Sequence, residues 1–293
     1  MEQTSNSSLS IVLPARNEAA SLSSLLPKLR SFFPEAEIVV VNDGSEDNTP
    51  ELCEAQGVIH VRNPYGMGNG AAIKRGTRRA TGDTIVFMDA DGQHQPEHAQ
   101  QLLNRFRSED LDMLVGARPT SAQANVLRYL GNRAFNMLAS WMTGQRIPDL
   151  TSGLRVVRAA KFREFLHLLP NGFSYPTTST MAFFRSGYTV AYEEVNVRSR
   201  IGKSHLNIWF EGQRFLLIIF KIGAMYSPMK LFAPISLFLF FLATALYAYT
   251  YFSFRQFTNM SALLYTTSLL TFLIGIVSEQ ITNLMFARRD RAN

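Results

Sequence analysis

The chain has 293 residues, 46% of them hydrophobic and 18% charged, with a formal net charge of +6. That length allows one large domain or two around a sizeable core. The positive balance suits an anionic membrane surface or a phosphorylated substrate, and the lack of a basic run interleaved with aromatics argues against nucleic acid. Cys53 is the only cysteine, which excludes a disulfide framework or a thiolate metal site and suits a reducing compartment. The polar start has neither the basic nor the apolar region of a secretory signal, so the soluble part is expected in the cytoplasm.

Ser10-Ile11-Val12-Leu13-Pro14 reads as a short strand stopped by proline, followed by Arg16-Asn17-Glu18 and an amphipathic helix through Leu22, Leu25, Leu26 and Leu29. Glu37 to Val41 is a second strand, ending in the turn-rich stretch Asn42-Asp43-Gly44-Ser45. Val58 to Arg62 leads into Asn63-Pro64-Tyr65-Gly66-Met67-Gly68-Asn69-Gly70-Ala71, where Gly66, Gly68 and Ala71 satisfy Gly-x-Gly-x-x-Ala. That pattern imitates a dinucleotide-binding fingerprint and raises an NAD-dependent enzyme as the rival class. Two earlier strand ends and a doubled acid argue against it, and the glycines then serve a phosphate or a closely packed neighbour.

Thr84 to Met88 is β-branched and aromatic, as in a buried parallel strand, and it stops at Asp89-Ala90-Asp91-Gly92-Gln93-His94 before Pro96 opens a helix. Open α/β sheets bind ligands at strand carboxyl ends. Asp89, Asp91 and Gln93 offer a hard, oxygen-only donor set, suited to Mg²⁺ or Mn²⁺ that takes its remaining ligands from water and a substrate diphosphate. A fifth strand from Asp112 ends at Arg118, and a helix is expected from Asn125 to Met142, carrying Arg128 and Arg133. After Gly144 come Asp149, Gly153 and Arg155, a short strand at Val156-Val157, helices near Ala159 to Leu168 and Phe173 to Ser186, and a strand from Tyr188 to Val197. Arg118, Arg133, Arg155, Arg198, Arg200 and Lys203 recur beside loop glycines and are expected to line a cationic pocket for phosphate.

The apolar residues concentrate after Phe215. Residues 206–230 read as an amphipathic helix in a membrane interface. Leu231 to Tyr251 and Ala262 to Ser278 read as two spans of a hairpin, joined by a turn containing Arg255. Lys221 and Lys230 before the hairpin and Arg288, Arg289 and Arg291 after it place both ends in the cytoplasm. Four segments are therefore expected: a cytoplasmic domain over 1–205, the interfacial helix over 206–230, the hairpin over 231–286 and a basic tail over 287–293.

Taken together, Leu13-Pro14-Ala15-Arg16-Asn17-Glu18, Val41-Asn42-Asp43-Gly44-Ser45, Asp89-Ala90-Asp91-Gly92-Gln93-His94, Gly131-Asn132-Arg133 and Arg200-Ile201-Gly202-Lys203-Ser204 resemble the family 2, GT-A glycosyltransferases. Within them the chain is similar to the polyprenyl-phosphate group, the dolichol-phosphate mannose synthase and undecaprenyl-phosphate glucosyltransferase type. Asn42 departs from a more usual aspartate, and His205 from a second lysine. The resemblance implies an α/β GT-A domain, mostly parallel with helices on both faces, ahead of the interfacial helix and membrane hairpin. It implies that Pro14, Arg16, Glu18, Asn42, Asp43, Lys74 and Asp89 hold a UDP- or GDP-hexose, and that Asp89, Asp91 and Gln93 hold Mg²⁺ or Mn²⁺. Arg118, Arg133, Arg200, Lys203 and Ser204 would bind the acceptor phosphate, with Asp149 near the acceptor and Asp89, Asp91, Arg118 and Asp149 forming the catalytic set.

The implied reaction is inverting transfer of one hexose to undecaprenyl or dolichyl phosphate on the cytoplasmic face of a bacterial inner membrane. A phosphate monoester is already ionised at neutral pH and needs no strong base to attack the anomeric carbon, which accounts for the lack of an obvious catalytic histidine. Another lipid or a polysaccharide is the alternative acceptor, although two spans are too few for a translocation channel. Nucleotide sugar, lipid phosphate and membrane are the expected partners, and a homo-oligomer stays open.

Overall fold

The computed structural model describes residues 8–119, 126–172, 174–195 and 223–287, which fall into two compact units. The first holds residues 8–141 and 145–195 of these, and the second holds 142–144 and 223–287.

In the first unit the β-branched runs become strands β1 (Leu9–Ala15), β2 (Glu37–Asn42), β3 (Ile59–Arg62), β4 (Thr84–Phe87), β5 (Met113–Ala117), β6 (Arg155–Arg158) and β7 (Val190–Glu194). They form one sheet in the order β3-β2-β1-β4-β6-β5-β7, parallel except for β6. Helices α1 (Ala19–Phe32), α2 (Thr49–Ala55) and α4 (Pro96–Ser108) cover one face, where Leu22, Leu26 and Leu102 pack with Ile11, Leu13 and Val40. Each such fully buried aliphatic side chain contributes about 1.5–3 kcal/mol. On the other face, α3 (Asn69–Arg79) lies against Val12 and Val41, while α6 (Ala159–Arg163) and α7 (Tyr175–Arg185) bring Phe162 onto Phe87 and Phe183 onto Phe162. Helix α5 (Val126–Thr143) precedes the loop into β6. This is the expected GT-A-like, mostly parallel sheet with helices on both faces.

Because β1 is flanked by β2 and β4, the chain reverses its winding direction between β1 and β4, the place where open sheets leave a crevice. The register aligns the strand ends there: Ala15 stands opposite Asn42, Val12 opposite Phe87, and Arg155 of β6 lies between Phe87 of β4 and Val115 of β5. Arg16, Asp43, Asp89 and Arg118 therefore emerge from one edge.

In the second unit, α8 (Pro228–Phe254) and α9 (Asn259–Ala287) form an antiparallel hairpin, both long and apolar enough to cross a membrane. The spans exceed the sequence expectation at each end. In α9 the helix continues through Glu279, and the Met229 backbone N–H at the start of α8 donates to Glu279 Oε2 at 3.4 Å. That acid is a helix-to-helix contact at the positive end of α8. Midway, Ser236 and Ser268 exchange hydrogen bonds, each hydroxyl donating to the other's carbonyl at 2.9 and 2.8 Å. Phe238, Leu237 and Leu263 point outward and are more than half exposed. Most of the interfacial segment 206–230 and nearly all of the tail 287–293 lie outside the described residues.

Candidate active site

Along the β2–β1 half of the edge, polar groups are bound by the chain's own backbone. Asp43 is buried, and its Oδ1 accepts from Asn63 Nδ2 at 2.6 Å and Met67 N–H at 2.8 Å while Oδ2 accepts from Gly68 N–H at 2.8 Å. Arg75 in turn donates to Asn63 Oδ1 at 2.7 Å. Asn42 is buried and its Oδ1 accepts from Ser45 N–H at 2.8 Å, closing a tight turn. Both residues thus shape the loops 43–45 and 63–68 beside the place assigned to the nucleotide. Pro14 is half-buried, Arg16 is exposed with its guanidinium against Gly66, and Glu18 opens α1, accepting from the Ser21 hydroxyl at 3.3 Å.

The glycine-rich stretch behaves differently from a dinucleotide fingerprint. The first backbone N–H groups of α3 are taken by the loop after α6, with Gly70 N–H on Gly172 O at 3.2 Å and Ala71 N–H on Asn171 O at 3.0 Å. A Cβ at Gly68 would meet Asn171 O at 2.5 Å, and one at Gly70 would meet Pro170 O at 2.1 Å. Lys74 fastens the same loop, donating to Leu169 O at 3.0 Å and Asn171 Oδ1 at 2.5 Å. Burial, then the charge of Arg78, lowers its pKa. The glycines therefore admit a packed loop, and the helix terminus that would cradle a pyrophosphate is filled. The NAD-dependent reading falls with it, and the structure brings Lys74 to the 169–171 loop.

The β4–β6–β5 half carries the charges. Asp89 and Asp91 are half-buried at the end of β4, and Asp91 Oδ1 accepts from Gln93 N–H at 3.1 Å, so that two of the three predicted metal ligands share one turn directly after Asp89. Among the described residues no three His, Cys, Asp or Glu side chains converge on a metal position. The donor set is two carboxylates and an amide, which fits a hard divalent cation completed by water and a diphosphate. Asp89 and Asp91 would hold the ion, with Gln93 beside them. His94 follows, buried, and its Nδ1 has no hydrogen-bond partner among the described residues. Burial, then the charges of His98 and Arg118, push its pKa down to about 4 and keep it neutral.

Arg118 and Asp149, expected in the catalytic set, form a two-pronged pair: Arg118 Nε donates to Asp149 Oδ2 at 2.8 Å and Nη2 to Oδ1 at 3.1 Å. Arg118 Nη2 also donates to Thr151 Oγ1 at 2.6 Å. Burial raises the pKa of Asp149, but the bonds and charge of Arg118 outweigh it and hold the carboxyl below its ordinary value of 3.8. So weak a base is poorly suited to proton abstraction, and Asp149 orients Arg118 instead. Asn136 of α5 fixes the same loop through Pro148 O and Leu150 N–H, and Arg133 lies exposed one turn earlier on that helix.

Arg155 overturns an expectation. It is wholly buried, so it is not part of a solvent-facing phosphate pocket. Arg200, Lys203 and Ser204 lie outside the described residues. Gly153, Asn63, Arg75, Asn136 and Thr151 were not singled out for the site by sequence reasoning, because their partners lie far away along the chain.

Residues 10–166 match glycosyl transferase family 2, and residues 227–284 match the GtrB C-terminal hairpin. The chain belongs to glycosyl transferase family 2. As such it is a glycosyltransferase, and its hairpin and relatives are those of the polyprenyl-phosphate type expected from the motifs. It is 29% identical over 212 residues to an undecaprenyl-phosphate mannosyltransferase of Micrococcus luteus, covering 67% of this chain and 86% of that one. It is 31% identical over 189 residues to an undecaprenyl-phosphate 4-deoxy-4-formamido-L-arabinose transferase of Yersinia pestis, covering 58% of this chain and 57% of that one. The chain thus spans little more than half the length of the second relative. Its fold is similar to that of glucosyl-3-phosphoglycerate synthase from Mycobacterium tuberculosis, solved with Mn²⁺, UDP-glucose and phosphoglyceric acid, with a TM-score of 0.60 at 19% identity over 74% of this chain and 79% of that one.

Proposed function

We propose that this glycosyltransferase moves one hexose from a UDP- or GDP-sugar to a polyprenyl phosphate, with inversion, at the cytoplasmic face of a bacterial inner membrane. The observation that carries the reading is the pairing of a carboxylate turn on β4 with an arginine at the end of β5, on the same edge of one sheet. The turn suits a divalent ion on the leaving diphosphate, and the arginine suits an anionic acceptor. An Mg²⁺ or Mn²⁺ held by Asp89 and Asp91 would supply charge stabilisation of the departing nucleoside diphosphate.

Arg16 and the loops shaped by Asn42 and Asp43 border the nucleotide, while Arg118 and Arg133, with Arg200, Lys203 and Ser204, receive the lipid phosphate. Asp149 and Thr151 take the Nε and Nη2 donors of Arg118 and fix the plane of its guanidinium, which leaves Nη1 to donate to a phosphate oxygen. The relatives named for undecaprenyl phosphate, together with a hairpin of two apolar helices, favour a lipid acceptor over a soluble one. Both ends of the hairpin then face the cytoplasm with the catalytic unit.

Membranes containing the full chain should transfer label from one of a panel of radiolabelled UDP- and GDP-hexoses to undecaprenyl or dolichyl phosphate, in the presence of Mg²⁺ or Mn²⁺. The anomeric configuration of the product, read by coupling constants, should be opposite to that of the donor. Label appearing only in polysaccharide, or only in a lipid without phosphate, would refute the acceptor.

A further inference from the structure

Arg155 is a cation shut off from solvent, and among the described residues no anion is hydrogen-bonded to it. Its relative exposure is 0%. Nε donates to Ser152 O at 2.8 Å and Nη2 to Leu150 O at 3.3 Å. Nη1 reaches Pro176 O at 2.9 Å, Ser179 Oγ at 3.1 Å and Thr180 Oγ1 at 2.7 Å, all on α7. Every one of these partners is neutral. A buried charge without a bonded counter-ion is costly, and an apolar residue of similar volume would fill a core more cheaply. The position therefore calls for a reason beyond packing.

The register supplies it, since Arg155 stands between Phe87, two residues before Asp89, and Val115, three residues before Arg118. The two carbonyls it grips belong to the loop that ends in Gly153. A Cβ at Gly153 would lie 2.4 Å from Asp89 Oδ2, 2.9 Å from Cγ and 3.0 Å from Oδ1, so the Asp89 carboxylate rests face-on against that glycine. Further back in the same loop, Asp149 and Thr151 hold Arg118. Ser152 Oγ ties the loop to Gly116 O at 2.5 Å. Burial lowers the pKa of Arg155, and the charges of Asp149 and Asp89, which reach it, act against that.

We infer that Arg155 is a positioning residue: by clamping the Leu150 and Ser152 carbonyls it seats Gly153 under the Asp89 carboxylate and sets the metal-side acid and the acceptor-side Arg118–Asp149 pair in one fixed arrangement. This rests on the proposed metal role of Asp89. It assigns to the loop Asp149–Gly153 the task of keeping donor and acceptor halves in register, and it explains why a glycine and a buried cation stand two residues apart there.

The test uses the purified full chain in detergent, titrated with Mn²⁺ in the presence of UDP and, in parallel, GDP, with free Mn²⁺ followed by electron paramagnetic resonance and no acceptor added. Gly153→Ala should weaken Mn²⁺ binding about 10- to 100-fold, as loss of an outer-sphere support does, with the melting temperature near that of the parent chain. Arg155→Gln should weaken Mn²⁺ binding and lower kcat, and Arg155→Lys should recover part of both. If Arg155→Gln does not fold, Gly153→Ala and Arg155→Lys decide. Folded Gly153→Ala with the parent's Mn²⁺ affinity overturns the inference, as does a folded Arg155→Gln variant that changes the melting temperature alone. A parent chain that binds no Mn²⁺ with either nucleotide overturns the metal reading itself, which separates the two failures.

Discussion

The two halves of the strand-end edge use carboxylates in opposite ways. On β2, three donors of the chain itself saturate Asp43, and the product is a rigid loop. On β4, Asp89 rests on a glycine and Asp91 spends one oxygen on its own turn. An acid held by donors of the neighbouring loop serves architecture, whereas a pair at a strand end, with Asp89 facing the charges of Arg118 and Arg155, is placed to share its oxygens with an ion. The sequence motifs are equally conspicuous in both halves, so the difference lies in what the rest of the chain brings to each acid.

If that contrast is right, the largest effect belongs to β4. Asp91→Asn keeps the turn, because an amide oxygen still accepts from Gln93 N–H, but removes a metal-binding charge. Turnover should fall by on the order of 10²–10³-fold, the scale of losing one transition-state charge stabiliser, with an unchanged circular dichroism spectrum. Normal activity in the folded variant would sink the metal assignment.

The converse holds on β2. Asp43→Ala strands the buried Asn63 amide, at about 1–3 kcal/mol if left unsatisfied, and frees the half-buried Met67 and Gly68 N–H groups, which water can reach in part. The expected result is a lowered melting temperature and a raised nucleotide-sugar KM, read on the same preparation. A variant that loses nucleotide affinity while its stability is untouched would mean that Asp43 acts on the ligand directly and that the contrast is misdrawn.

Most strands were legible in the sequence because Ile, Val and Phe run without interruption in elements buried on both faces, and Asp43, Asp89 and Arg118 were legible because each ends such a run. The direction of β6 was not. Arg155-Val156-Val157 reads the same parallel or antiparallel, and only the pairing with Phe87 and Val115 decides. Nor could an arginine beside a glycine announce that it points inward, since Pro176, Ser179 and Thr180, which receive it, lie 21 to 25 residues further on. The plug on α3 comes from residues about a hundred positions away, beyond any local pattern. In short, what each strand end carries was local information, and what neutralises it was not.

Asp149 sharpens the comparison from a third side, because a cation compensates it in addition to the backbone N–H groups of Thr151 and Arg118. Its folded pKa is depressed, so its contribution to stability is present above the unfolded value near 3.8 and is lost only as pH falls through the lower folded value. Between about pH 5 and 8 it is constantly ionised. The pH–rate profile over that window should therefore carry no limb from Asp149, and Asp149→Asn should lower the rate without changing the profile's shape. An acid limb that disappears in the variant would restore Asp149 as the general base.

The smallest effect is expected in the hairpin, where polar groups face hydrocarbon instead of water. Ser236 and Ser268 satisfy one another across α8 and α9, and neither hydroxyl is left over for a ligand. Ser236→Ala removes the pair's donor on one side, while the carbonyl it served keeps its own intrahelical bond. In a membrane such interhelical bonds average about 0.6 kcal/mol, because the separated helices find other partners. Hairpin stability should fall by that order, measured by steric trapping or denaturant titration in bilayer discs, with glycosyl transfer retained. A large loss of transfer with little change in stability would place Ser236 on the lipid's path and give the hairpin a part in acceptor binding beyond anchorage.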